Sequence, residues 1–204
     1  MWTMNKKFQA IIVAVTMLLA SATTTAQDEH PAQEIVQGSI TDMLTYLADN
    51  IDAVKADPSI IMAKADELIV PQIDFVTMTR LSVGKNWNTA DETQQKDLVT
   101  QFKTLLLKTY TSAMTQYSGE VIEFEPFRPE SRDDRAIVRS AFKQSGSSDV
   151  PVIYKLREKE GWQIYDIEVA GLSLVGNFRQ KFTDEINSKG IDGLLAFLKE
   201  RNSR

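Results

Sequence analysis

The sequence predicts an α+β fold, a curved antiparallel sheet of about four strands with helices packed on it. Three observations carry this. Apolar residues recur every three or four positions from 36 to 117; the period drops to two between 120 and 169; and the helical period returns from 174 onward. A folded chain of 204 residues fits one sizeable domain.

The first 26 residues read as a secretory signal. Lys6 and Lys7 form a positive start, and Phe8 to Ala20 is a mostly apolar run too short for a membrane span. The small residues that follow place cleavage after Ala26, with Ala22 as the second choice. No Cys follows the run, so a lipid-anchored form is excluded. The organisation expected is a signal at 1–26 and a single soluble domain at 27–204. Within it lie a helical part at about 34–118, a sheet at about 120–169 and C-terminal helices at about 173–201.

Val36, Ile40, Met43, Leu44, Leu47, Ile51 and Val54 give one apolar stripe on a helix of about 20 residues. It stops at Asp57-Pro58, where Asp57 can cap the next helix and Pro58 suits its first turn. That second helix carries Ile60, Ile61, Ala65 and Leu68 and ends before Pro71. Asp74 caps a short helix through Phe75, Val76, Met78 and Leu81, closed by Gly84. The next, expected to be the longest, starts at Thr89, where Thr89-Ala90-Asp91-Glu92 fits a capping box. Its apolar face runs through Leu98, Phe102, Leu105, Leu106, Tyr110, Met114 and Tyr117 to Gly119. Leu105-Leu106-Leu107 wraps most of one turn, so this helix is covered on more than one side or lines a cavity.

Strand-like runs follow at 120–125, 135–143, 150–158 and 162–169, the last three joined by short turns as a meander. Val152, Tyr154 and Leu156 share a face opposite Lys155 and Arg157. In the final run, alternation sets Ile164 against Tyr165, Ile167 and Val169. Leu174, Val175, Phe178, Phe182 and Ile186 then form a helical stripe ending at Gly190, and Asp192 can cap a last amphipathic segment with Leu194, Leu195 and Leu198.

Composition excludes several chemistries. Cys is absent and His occurs once, which removes thiol nucleophiles, disulfides and Cys/His zinc sites. His30 falls in a polar stretch near the cleavage site and is expected in an unstructured tail. The net charge is −5; the leader removes two lysines and no acid, leaving 21 basic against 28 acidic residues and a net of −7. Nucleic-acid binding is not expected. No metal site and no catalytic constellation is assembled. Asp166, between aromatic and aliphatic neighbours, is either a general base in a small-molecule enzyme or a structural carboxylate paired with Arg179 or a backbone donor. Wide apolar faces, with Met43, Met62, Met78 and Met114 among them, admit a roomy apolar pocket as well as an ordinary core.

Two blocks carry a family resemblance. Leu81-Ser82-Val83-Gly84-Lys85-Asn86-Trp87-Asn88-Thr89-Ala90 is followed by Gln94, Phe102, Leu106 and Tyr110. Then Tyr165-Asp166-Ile167-Glu168-Val169-Ala170-Gly171-Leu172-Ser173-Leu174-Val175 leads to Asn177-Phe178-Arg179, Phe182, Ile186 and Gly190-Ile191-Asp192-Gly193-Leu194. In order and spacing they resemble the MlaC, or toluene-tolerance, family, over roughly residues 35–200.

The resemblance implies a fold similar to a nuclear-transport-factor-2-like half-barrel joined to a helical part, with an apolar cavity enclosed between sheet and helices. It implies a periplasmic, monomeric phospholipid carrier that maintains outer-membrane lipid asymmetry and does no bond chemistry. Its expected partners are an inner-membrane ABC transporter complex with an MCE-domain subunit and an outer-membrane lipoprotein complex. No cofactor is implied; bound phospholipid is cargo. Family members are often basic and this chain is acidic, which points to protein partners more than bare anionic membrane. Family position and alternation together nominate Val76, Leu81, Phe102, Leu106, Tyr110, Met114, Val152, Tyr154, Ile164 and Phe178 as tail contacts. Arg80, Lys85 and Arg179 are candidates for the lipid phosphate. Two other readings stay open: an enzyme pairing Asp166 with Tyr110, Tyr154 or Tyr165, and a periplasmic adaptor binding proteins through an apolar groove.

Overall fold

A computed structural model describes residues 29–143 and 148–203. The expected signal at 1–26 and four residues of the turn at 144–149 lie outside the described residues.

Helix α1 (Pro31–Ala56) begins earlier than its stripe, because His30 caps it. The imidazole Nδ1 accepts the Ala32 N–H at 3.2 Å, and the ring stacks on Phe127 at 4.1 Å with Trp162 edge-on at 5.1 Å. The expectation of an unstructured His30 is therefore corrected. Its partners come from distant segments that local pattern cannot supply. α1 kinks at Asn50, whose amide donates to the Tyr46 carbonyl. Asp57 accepts the Ser59 N–H at the start of α2 (Ser59–Leu68). Asp74 caps α3 (Phe75–Val83) by accepting the Thr77 N–H at 2.8 Å, and Gly84, at φ 67°, closes it in a conformation that suits glycine.

Helix α4 (Glu92–Met114) starts and ends inside the expected limits. The capping box is built by Asp91 and Gln94, whose side chains each accept the other's backbone N–H at 2.8 and 3.1 Å. Thr89 sits instead in a 3₁₀ segment and donates to Asn86. Asp and Gln serve the same reciprocal geometry as Thr and Glu, so the motif slides by two residues. α1 and the last helix both exceed α4 in length.

The sheet is an antiparallel meander in sequence order: β1 (Val121–Phe124), β2 (Arg135–Lys143), β3 (Val150–Glu158), β4 (Trp162–Val169) and β5 (Leu172–Ser173). The fifth strand, two residues long, exceeds the expected four because so short an element has no period to read. A bulge interrupts the β3–β4 pairing: Leu156 faces Ile164, whereas Lys155 faces Asp166. Tyr165 is the extra residue, and the alternation restarts after it. Ile167 and Val169 consequently stand opposite Tyr154 and Val152, on the same face as Ile164 and Leu156. The expected opposition of Ile164 to Ile167 and Val169 is corrected, since simple alternation has no place for an inserted residue.

Helix α5 (Leu174–Ser203) is broken at Gly190, φ 72°. Asp192 accepts a hydrogen bond from Gln94 at 2.8 Å and so ties α5 to the start of α4. Among the described residues no helix is long and apolar enough to cross a membrane.

Candidate functional site: an apolar cavity between three cores

The buried side chains form three clusters. One joins α3, α4 and α5 around Phe102 and Phe182; one joins the start of α1 to the sheet around Leu156 and Val138; one joins the rest of α1 to α2 around Val54 and Ile61. Small domains ordinarily merge such clusters into one core. Here a cavity of ≈ 530 Å³ lies where the three meet. That volume falls within the range of about 300–1,000 Å³ that ligand pockets occupy.

Each layer contributes to the wall. α1 supplies Ile40, Met43, Leu44 and Leu47; Ala65, Ile69, Ile73, Phe75 and Met78 close the adjoining side; Leu106, Leu107, Tyr110, Thr111 and Met114 come from α4. The sheet gives Ile122, Phe142, Val152, Tyr154, Ile167 and Val169, and Leu174 follows it. The last two sheet residues reach the wall only because the Tyr165 bulge turns them to the face that Val152 and Tyr154 occupy. The consecutive leucines divide their work. Leu105 packs in the α3–α4–α5 core, Leu106 adjoins both that core and the cavity, and Leu107 packs towards α1 and α2.

Polar groups in the wall are few: Tyr110, Thr111, Gln116, Tyr117, Glu120 and Tyr154. Burial raises the phenol pKa of Tyr110, and burial raises that of Tyr154 against an opposing hydrogen bond with Ser140, so both rings are neutral near pH 7. Tyr110 is 38% exposed and Gln116 is exposed, whereas Met43, Leu47 and Met78 are buried. Water therefore reaches the cavity beside the C-terminal part of α4.

The nominated tail contacts divide by packing. Leu106, Tyr110, Met114, Val152 and Tyr154 line the cavity. Phe102 is fully buried and meets Phe178 and Phe182 edge-on in solid core, and Ile164 is buried against the sheet cluster beside the bulge. Val76 is 57% exposed, and Leu81 lies in a separate concavity. These five do not reach the cavity wall, because helical and strand periods select a face without showing whether it meets a neighbour, a void or water.

Arg80, Lys85 and Arg179 share that separate concavity with Trp87, Asn88 and Thr183, and none of its lining residues belongs to the apolar cavity. The Arg179 Nε donates to the Leu81 carbonyl at 2.8 Å, tying α5 to α3. The phosphate role expected for the three cations is not joined by geometry to the cavity. The strand-borne lining residues Ile122, Phe142, Ile167 and Val169 were missed by nomination. The alternation of β1 and β2 could have flagged the first two; only the bulge exposes the others.

Asp166 is 5% exposed and absent from the wall. Lying opposite Lys155, it faces away from Tyr154. Its carboxylate accepts from the Ser173 hydroxyl at 2.8 Å, the Val175 N–H at 3.2 Å and Lys155 at 3.2 Å. Ser173 in turn accepts the Gly176 N–H, so the pair caps α5, where negative charge is favoured. Of the two structural partners expected for Asp166, the backbone donor is present and Arg179 is elsewhere. Among the described residues no group of three His, Cys, Asp or Glu side chains could hold a metal ion.

The molecule is thus an α+β protein built around a nearly all-apolar pocket, with exposed Tyr110 and Gln116 in its wall. The chain belongs to the MlaC protein family, whose model matches residues 37–200. It is 25% identical over 174 residues to the toluene tolerance protein ttg2D of Pseudomonas putida, covering 83% of this chain and 78% of that one. It is 20% identical over 205 residues to the intermembrane phospholipid transport system binding protein MlaC of Haemophilus influenzae, covering 98% and 95%. Among solved structures it resembles the phospholipid-binding protein of Ralstonia solanacearum in complex with a phospholipid. That match has a TM-score of 0.74 and 31% identity over 85% of this chain and 98% of that one.

Proposed function

We propose that the protein is a periplasmic phospholipid carrier. It holds the acyl chains in the cavity between α1, α3, α4 and the sheet, and leaves the headgroup at the wet end beside Tyr110. The observation that carries this reading is the cavity itself, apolar on nearly every side and opened to water where its polar groups gather. The Ralstonia relative, in complex with a phospholipid, supports it.

The physical need is plain. Each acyl CH₂ left in water costs about 0.8 kcal/mol, so a two-chain lipid does not cross an aqueous space unaided. Enclosure removes that barrier without breaking a bond, so the protein needs no catalytic group. Asp166, the one acid offered as a base, is held by a helix cap away from the cavity. Delivery would run between an inner-membrane ABC transporter complex with an MCE-domain subunit and an outer-membrane lipoprotein complex, and so maintain outer-membrane asymmetry. The name of the Haemophilus relative, an intermembrane phospholipid transport binding protein, supports this placement.

Native mass spectrometry and lipid extraction of the full chain, purified after export, test the reading. A two-chain phospholipid bound to the protein is the expected result. A lipid-free protein that takes up none from vesicles overturns it.

A further inference from the structure

The polar part of the cavity wall has a sign. Glu120 is the one charged residue in the wall among the described residues, and no Lys or Arg joins it. It stands on the segment between α4 and β1 that also supplies Gln116 and Tyr117, following the half-turns of α4 that carry Tyr110 and Met114. The three cations nominated for phosphate, Arg80, Lys85 and Arg179, lie in the other concavity.

The Glu120 carboxylate is built in place. One oxygen accepts the Ser118 N–H at 2.8 Å and the other the Ser118 hydroxyl at 2.6 Å, across Gly119 at φ 99°. Those hydrogen bonds hold its pKa below the ordinary glutamate value, so the group is ionised at neutral pH. Each oxygen keeps a further lone pair for another donor. No ion pair to Glu120 occurs among the described residues, although Lys143 nearby in the sheet pairs with Glu123 and Asp149. The faces of Tyr110 and Tyr117, also in the wall, attract cations rather than anions.

We infer that the cavity mouth selects lipids whose headgroup bears a positively charged amine, with Glu120 as the specificity-determining residue. This rests on the carrier reading and deepens it by naming the headgroup class. A zwitterionic headgroup brings its ammonium to an unpaired carboxylate and adds no net charge to an acidic protein. An anionic headgroup meets that carboxylate with no cation in the wall to offset it.

The test incubates the full-length protein with vesicles of equimolar phosphatidylethanolamine and phosphatidylglycerol, re-isolates it and weighs the bound lipid by mass spectrometry. The unaltered protein is expected to hold the ethanolamine lipid in about three- to five-fold excess, the scale of one solvent-screened ion pair. Glu120→Gln keeps an acceptor for Ser118 and should bring the ratio close to one; Glu120→Lys should invert it. Raising the salt to about 1 M, where the Debye length is about 3 Å, should flatten the preference of the unaltered protein. Uptake of both lipids in the vesicle ratio, or an excess that neither variant alters, overturns the headgroup assignment and leaves the carrier reading intact. Uptake of neither lipid overturns both.

Discussion

Tyr154 of β3 stands directly opposite Ile167 of β4, two side chains brought to one face of the sheet by the bulge at Tyr165. Both line the cavity. The same bulge sends Asp166 to the other face, where it caps α5. One inserted residue thus separates an apolar wall from a structural carboxylate on a single strand.

The first prediction concerns the wall. Ile167→Trp puts extra volume into a space that the protein itself leaves unfilled, so folding should tolerate it. Excluding two or three methylenes of a ligand should weaken binding by about 2 kcal/mol, roughly thirty-fold. Phospholipid per protein after vesicle exchange measures this, with a melting curve as the folding control. Undiminished occupancy in a folded variant would remove Ile167 from the proposed tail site.

Phe102 gives the contrasting case. It is fully buried and packed on Phe178 and Phe182. Phe102→Ala should cost about 3–5 kcal/mol of stability, read by chemical denaturation. Protein that remains folded should keep its lipid, because the ring belongs to the core and not to the wall. A stable variant with an emptied cavity would contradict that division.

Asp166→Asn should lower stability by about 1–3 kcal/mol, because a buried acceptor shared by Ser173, Val175 and Lys155 loses its charge. Lipid occupancy of the folded protein should not change. A variant of unaltered stability that failed to bind or turn over a small molecule would instead favour the enzyme reading.

The link between Asp74 and Arg157 predicts acid sensitivity. Arg157 Nε donates to the Asp74 carboxylate at 2.9 Å, and both side chains are largely buried. Burial alone would raise the Asp74 pKa; hydrogen bonds from Thr77 and Arg157 outweigh it and hold the group below its ordinary value. Its contribution is therefore present above the unfolded pKa of about 3.9 and lost as pH falls through the lower folded value. Asp74→Asn should be about 3–5 kcal/mol less stable at pH 7, with the gap to the unaltered protein narrowing below about pH 4. Denaturation measured across that range checks it; a gap that widens on acidification would refute the assignment.

His30→Ala should cost about 0.5–2 kcal/mol through loss of the α1 cap, visible as a lower melting temperature. An unchanged melting point would mean that the stack on Phe127 and the cap contribute nothing.

Much of the fold was legible along the chain because its signals are local. The Asp74 cap and Gly84 stop bound α3, and the period of two marks β2, β3 and β4 at the residues where they occur. The capping box was legible as a type and misplaced by two residues, since Thr89, Asp91, Glu92 and Gln94 offer overlapping versions of one motif. The cavity wall was legible by half. Leu106, Tyr110, Met114, Val152 and Tyr154 are in the wall, whereas Phe102 and Ile164 carry the same periodic signature and lie in core, with Phe178 half-buried against it.

The α+β class, the family, the absence of Cys chemistry and the breadth of the apolar faces could all be read along the chain, because each follows from composition, period or motif. Three things emerged only from how the elements pack: those faces form three cores with a cavity between them, His30 is a cap, and Asp166 turns away from the cavity. The reason is physical. Period tells which side of an element avoids water, but a void, a bulge and a long-range cap are properties of how elements meet.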